Sequence, residues 1–169
     1  MATLDIITYP NQLLSQSAKK VEEIDQTIIE LIENMKETMH RFDGVGLAAV
    51  QVGINISLFV YNDSKERKIE DDKVLINPTI ISNEGEFVSE NEGCLSVPEF
   101  RANVKRAVTV IVEAEDIDGK PVKIEANGIT SVIMQHEIDH LNGVLFINRI
   151  SALKRNIYKR KVKKELKSK

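Results

Sequence analysis

Residue types able to do chemistry are concentrated in Gln135-His136-Glu137-Ile138-Asp139-His140-Leu141-Asn142-Gly143. The stretch reads H-E-x-x-H. On a helix, residues four apart lie on one face, so His136 and His140 can aim both imidazoles at one point, with Glu137 beside that face. Two imidazoles and a neighbouring carboxylate at this spacing suit a bound metal with a base next to its water. Two ordinary helix histidines with no ligand are the plain alternative. The motif alone supplies no third ligand, no pocket and no substrate.

Glu92-Gly93-Cys94-Leu95-Ser96-Val97-Pro98 is the second informative stretch and holds the only cysteine. A lone Cys is by default a buried, inert thiol. It can also be a nucleophile, and beside H-E-x-x-H it has a third role as metal ligand. Cys94 with His136 and His140 makes a set of one thiolate and two imidazoles. Three protein ligands leave a fourth tetrahedral position for water, the arrangement of a catalytic rather than a closed structural site. Asp43-Gly44-Val45-Gly46-Leu47-Ala48-Ala49-Val50-Gln51-Val52-Gly53 is the third stretch. Its glycines permit close backbone approach by a ligand. Gln51 carries a neutral amide donor of the kind that steadies an oxyanion. The glycine spacing matches no phosphate loop. Read by itself, this stretch is a structural turn.

These residues need elements to position them. Asp25 or Thr27 caps a helix running to about His40, with Ile28, Leu31, Ile32, Met35 and Met39 as its core face. His40 reads as a surface or helix-end residue. Ile54–Tyr61 alternates as a strand, Asn62–Lys73 is a polar surface loop, and Val74–Pro78 is a short strand stopped by proline, with strand and turn continuing over 79–89 around Gly85. Val104–Ala114 reads as one strand, Asp118-Gly119 as a hairpin turn and Pro121–Glu125 as the returning partner. Asn127-Gly128 is a further turn. The histidine helix begins near Ile129, with Thr130 or Ser131 satisfying early amides. Ile129, Val132 and Ile133 share the face of His136 and His140, and Gly143 caps the end. Val144–Ile147 reads as a short buried strand. Arg155–Lys169 is a basic helix with Ile157, Val162 and Leu166 as a thin apolar stripe.

Composition bounds the class. A chain of 169 residues, 42% hydrophobic and 29% charged, is that of an ordinary globular protein with a sizeable core. Met1–Tyr9 lacks a basic start followed by an apolar run, so no leader is expected, and no apolar stretch approaches the length of a membrane span. A single Cys excludes an internal disulfide and suits a reducing, cytoplasmic setting. The net charge of −3 is unevenly spread. Residues 151–169 hold nine Lys/Arg and one acid, Glu165, while residues 1–150 hold 14 basic and 25 acidic residues. An acidic body with a basic tail suggests a polyanionic partner for the tail, although such runs are usually solvated helix faces.

The stretches Gly44-Val45-Gly46-Leu47-Ala48-Ala49-Val50-Gln51, Glu92-Gly93-Cys94-Leu95-Ser96 and Gln135-His136-Glu137-Ile138-Asp139-His140 resemble, in order and separation, the three motifs of the peptide deformylase family. The similarity extends to Leu75-Ile76-Asn77-Pro78, Asp118-Gly119-Lys120-Pro121 and Leu145-Phe146, and the compact length resembles the bacterial form. Asn148 stands before Arg149 where family members often have Asp, a departure expected to affect local hydrogen bonding rather than chemistry.

The resemblance implies an α+β fold, with antiparallel β-sheets surrounding a central metal-binding helix and helices near both ends. It implies one catalytic domain over 1–150 with 151–169 as its basic extension. The implied activity is hydrolysis of the formyl group from the N-formylmethionine of nascent polypeptides, releasing formate. One divalent ion, typically Fe(II), with zinc, nickel or cobalt as substitutes, would be held by Cys94, His136 and His140. The metal's water would attack the formyl carbon, with Glu137 as base and then acid. The Gln51 amide and the Leu95 backbone N–H would receive the oxyanion. The peptide would bind as an added strand along Val45-Gly46 and Gly93. Val45, Ile129, Val132 and Ile133 would wall the methionine pocket, and Arg101 would contact the peptide backbone. The basic tail would dock on ribosomal RNA. The expected protein is a cytoplasmic monomer with no membrane partner.

Two rivals frame this reading. An H-E-x-x-H endopeptidase would take a third His or Glu as ligand, against which Cys94 stands. An RNA- or ribosome-binding module with a structural metal, or none, would tolerate loss of Glu137, whereas the enzyme would not.

Overall fold

Asp25 starts the first helix: its carboxylate accepts a hydrogen bond from the Ile28 amide at 3.0 Å, satisfying one free donor of α1 (Gln26–Arg41). Ile32, Met35 and Met39 are fully buried on one face, with Ile28 and Leu31 at its margin. The computed structural model describes residues 2–168. Met1, where the leaderless start was read, and Lys169, the last residue of the basic tail, lie outside them.

Seven strands follow in the chain: β1 (Gly46–Ala48), β2 (Leu58–Tyr61), β3 (Lys73–Glu84), β4 (Phe87–Cys94), β5 (Val97–Arg106), β6 (Thr109–Glu115) and β7 (Pro121–Asn127). A five-stranded sheet has the order β1-β2-β3-β6-β7, and β4-β5 forms a separate hairpin. Every pairing is antiparallel. The second helix, α2 (Gly128–Leu141), carries the two histidines, and α3 (Ala152–Lys167) ends the described chain.

All four residues of β2 are buried because its two faces meet different helices. Phe59 and Tyr61 pack with Ile133, Met134 and Ile138 of α2. Leu58 and Val60 pack with Ile32, Met35 and Met39 of α1. A strand covered on both sides reads as a continuous apolar run, and each fully buried aliphatic side chain contributes about 1.5–3 kcal/mol. A third cluster joins Val97, Ala102 and Val104 of the hairpin to Phe146 and to Tyr158 of α3. The histidine helix thus lies between the large sheet and the hairpin, in the α+β arrangement that the sequence implies.

Local differences from the sequence reading have physical causes. Residues 54–57 stand outside the strand, which starts at Leu58: Gly53 turns the chain at φ 83°, and Ile56 makes only an isolated parallel bridge with Lys19. Strand β3 runs through Pro78 instead of stopping there. Its register with β6 shifts between Ile76 and Thr79, so the missing proline N–H falls at a bulge. The single strand expected over 104–114 is two, β5 and β6. At the break, the Ala107 amide and carbonyl bond the Gln135 side chain at 2.8 and 3.0 Å, so α2 takes the place of a strand partner. Residues 146–149 form a 3-10 turn instead of the expected strand. There Asn148 Oδ1 accepts from the Leu145 amide at 2.9 Å, a local hydrogen-bonding role. Gly128 begins α2 rather than making a separate turn, and neither Thr130 nor Ser131 caps it. Their hydroxyls donate instead to Asp63 and to the Ala107 carbonyl. On α3 the packed residues are Tyr158 and Val162, while Ile157 and Leu166 are exposed.

Candidate metal centre and active site

Helix α2 brings His136, Glu137 and His140 into the interior, with Glu137 4% and His140 1% exposed. Cys94 arrives from the end of β4, at the tight turn where it pairs with Val97 of β5. Its Sγ lies 3.2 Å from His140 Nε2. One donor atom from each of Cys94, His136 and His140 lies within 4.8 Å of the others. Glu137 Oε2 is buried beside them with no protein partner. A thiolate and two imidazoles converging in this way, on the same helix as a buried carboxylate oxygen without a partner in the case of the imidazoles, fit a divalent ion with three protein ligands and an open position.

The layer behind the ligands fixes their orientation. His136 Nδ1 donates to Glu92 Oε1 at 2.9 Å, which leaves Nε2 for the centre. Arg106 is bonded through Nε and Nη2 to the Glu92 carboxylate and through Nη1 to Asp139 Oδ2 at 2.8 Å. Arg149 completes the chain with bonds of 2.6 and 2.7 Å to Asp139. Burial alone would raise the Glu92 carboxyl, but hydrogen bonds from His136 and Arg106 outweigh it and hold it down at about 2. Burial lifts Glu137 to about 7, opposed by the charges of His136 and Arg106 and aided by Glu92 and Asp139. Burial, with the neighbouring positive charges of His136 and Arg106, keeps His140 well below its ordinary value. Burial would lower His136 too, but Cys94 and Glu92 hold it well above.

Gln51 is held with its donor side toward the sulfur. Its Oε1 accepts from the Ala48 amide at 2.9 Å. Its Nε2 donates to Ser96 Oγ at 3.1 Å and reaches Cys94 Sγ at 3.6 Å. Gly46 owes its identity to Glu137, since a Cβ there would lie 2.7 Å from Glu137 Oε1. A Cβ at Gly93 would meet the Arg101 guanidinium at 2.9 Å, so the arginine lies directly over this glycine.

An open cleft of about 1010 Å³ leads to this centre. Val45, Gly46 and Gln51 line it from one side, and Gly93, Cys94, Leu95 and Arg101 from the other. Ile129, Val132, Ile133, His136 and Glu137 line it from α2. The sequence-derived residues therefore meet in one place, with His140 directly behind. Val132 and Ile133 are buried, whereas Ile129 is 59% exposed at the mouth, so the shared face on α2 is not uniformly buried. His40 bonds both oxygens of Asp72 and takes no part in the cleft.

Sequence reasoning passed over Glu92, Asp139, Arg106 and Arg149. Glu92 stands two residues before Cys94, and strand alternation places such a pair on one face. Asp139 sits inside the H-E-x-x-H stretch. Nothing local points to Arg106 or Arg149, which reach the site only through the fold.

Comparison with known proteins agrees with this geometry. The sequence model of the Polypeptide deformylase family matches residues 3–156. The chain is 50% identical over 167 residues to a peptide deformylase of Desulfosudis oleivorans, covering 99% of this chain and 96% of the relative. It is also 50% identical over 167 residues to one of Syntrophobacter fumaroxidans, covering 99% and 98%. Among solved structures, a peptide deformylase from Legionella pneumophila superposes with a TM-score of 0.90 at 40% identity, covering 98% of this chain and 96% of that one. One from Ehrlichia chaffeensis in complex with actinonin gives 0.90 at 38% identity, covering 98% of both. The chain belongs to the polypeptide deformylase family.

Proposed function

We propose a division of labour within the cleft for the hydrolysis that this family performs. As a family member, the chain is a hydrolase that removes the formyl group from the N-terminal formylmethionine of new polypeptides and releases formate. Cys94, His136 and His140 hold the divalent ion, which when bound supplies Lewis-acid activation of water and polarisation of the formyl carbonyl. Glu137 takes a proton from the attacking water and returns it to the leaving amine. The Gln51 amide and the Leu95 backbone N–H donate to the oxygen that gains charge. The peptide lies along Val45-Gly46 and Gly93 as an added strand, with Arg101 on its backbone and the methionine side chain against Val45, Ile129, Val132 and Ile133. One observation carries this reading: the three donor atoms lie within 4.8 Å beside the buried, unpartnered Glu137 oxygen. Its test is formate release from formyl-Met-Ala peptides set against cleavage of internal peptide bonds; cleavage without deformylation would refute it.

Gly46→Ala tests how closely Glu137 must be placed. The added methyl would push the carboxylate aside, and a shift of about 1 Å in reacting groups costs on the order of 10²-fold in rate. The expected result is a fall of about that size in kcat with metal content unchanged, read by formate assay and metal analysis.

Iron is the proposed native metal, read by metal analysis after anaerobic purification; a thiolate beside a ferrous ion is open to oxidation, so zinc substitution in air is expected. The working unit is proposed as a monomer in the cytoplasm, with 1–150 as its catalytic domain; a dimer on sizing would contradict it. No described helix is long and apolar enough to cross a membrane. The basic extension 151–169 is proposed to dock on ribosomal RNA, supported by a mostly exposed, lysine-rich α3. Deleting residues 155–169 should abolish salt-sensitive ribosome binding in a sedimentation assay, and retained binding would sink the idea.

A further inference from the structure

The two walls of the proposed methionine pocket come from separate parts of the chain. Val45 stands just before β1, and Ile129, Val132 and Ile133 stand on the first turns of α2. The polar loop after β2 touches both. On one side the Asn62 amide donates to the Val45 carbonyl at 2.9 Å, and Arg67 donates to the Gly44 carbonyl. On the other, Thr130 Oγ1 donates to Asp63 Oδ2 at 2.8 Å. Asn62 and Asp63 are adjacent, so a single peptide unit spans the two walls.

The loop is braced for this work. The Asn62 side chain accepts from the Ser64 amide at 3.1 Å and donates to the Lys68 carbonyl at 2.8 Å and to Asp72 at 2.7 Å. Asp63 is also held by Lys73 at 2.7 Å. Burial would raise its carboxyl, but the hydrogen bonds from Lys73 and Thr130 keep it below the ordinary value. Its ionised oxygens only accept, which suits a hydroxyl donor on the helix. Asn127 gives α2 no side-chain cap, and the Thr130 hydroxyl ties the first turn of the helix to the loop.

We infer that the Asn62–Asp63 step is a strap that sets the width of the methionine pocket, with Asp63 and Thr130 as positioning residues for side-chain selectivity. The inference rests on the reading that this pocket receives methionine. Without the Thr130 hydroxyl, the first turn of α2 is released from the Val45 wall and Ile129 moves away from it. The catalytic carboxylate lies two turns further along the helix and keeps its packing.

The test compares Thr130→Val with Thr130→Ser in the metal-loaded enzyme. The expected result for Thr130→Val is a KM for formyl-Met-Ala raised roughly fivefold with kcat unchanged, the scale of one net hydrogen bond. The preference for formyl-Met-Ala over formyl-Phe-Ala should narrow by a similar factor, and Thr130→Ser should restore both. Amide hydrogen exchange of residues 128–133 in the metal-free protein should speed up in the Val variant alone. Unchanged selectivity, or unchanged exchange, overturns the strap. Failure of the unaltered enzyme to release formate from either peptide would strike instead at the deformylase reading, and the exchange result would still decide the strap.

Discussion

Glu137→Gln is expected to lower kcat for formate release by about 10³-fold, within the range found for loss of a general acid–base group, while the protein still binds one ion per chain. The amide keeps the size and place of the carboxylate but cannot accept the water proton. Glu137 is not counted among the three converging ligand atoms, so metal content should stay the same. Its Oε2 is buried without a protein partner, so the exchange breaks no hydrogen bond of that atom and the melting temperature should not fall. A variant that lost metal along with activity would make Glu137 a ligand or a structural group. A variant that kept its metal and released formate at the full rate would show that Glu137 does not carry the water's proton.

Cys94→Ser is the second large effect. The hydroxyl is a poorer donor than a thiolate for the borderline-soft metals that suit two imidazoles. Loss of an orienting outer partner alone costs 10–100-fold in metal affinity, so loss of a direct ligand should cost about 100-fold or more. After dialysis the variant should hold little metal and release little formate. If Cys94 were only a buried thiol, serine would leave metal content unchanged, which the same metal analysis would reveal. The side chain sits 3.2 Å from His140 Nε2 and 3.6 Å from Gln51 Nε2, so both neighbours should register its replacement.

How much of this could be read from the chain follows from where each signal lives. The convergence of Cys94, His136 and His140 was legible because H-E-x-x-H is a helix period and Cys94 is unique. Helix α1 was legible to within a residue, since Asp25 and the apolar spacing act locally. Strand limits were read less well wherever a tertiary partner replaced a local one. Gln135 breaks the run 104–114 by bonding Ala107, and a bulge lets β3 pass through Pro78. Composition marks Val144–Ile147 as apolar but cannot distinguish a buried 3-10 turn from a strand. On α3 the apolar stripe was read as Ile157, Val162 and Leu166, of which only Val162 packs on the core. The most buried contact is made by Tyr158, whose ring packs at a tilt against Tyr9 and Phe100, partners far away in sequence. Arg106 and Arg149 escaped for the same reason: their acids, Glu92 and Asp139, lie on other elements. Gly46 was read as room for a ligand, and the structure adds that it makes room for Glu137.

The central claim is that Cys94, His136 and His140 hold a divalent ion that Glu137 turns to deformylation. Metal content and formate release from formyl-Met-Ala, measured on one anaerobically purified sample through chelation and metal return, test it most directly. The account predicts one ion per chain, loss of ion and activity together on chelation, and recovery of both when ferrous ion is restored. A sample with its site full of ferrous ion and no formate released would contradict it.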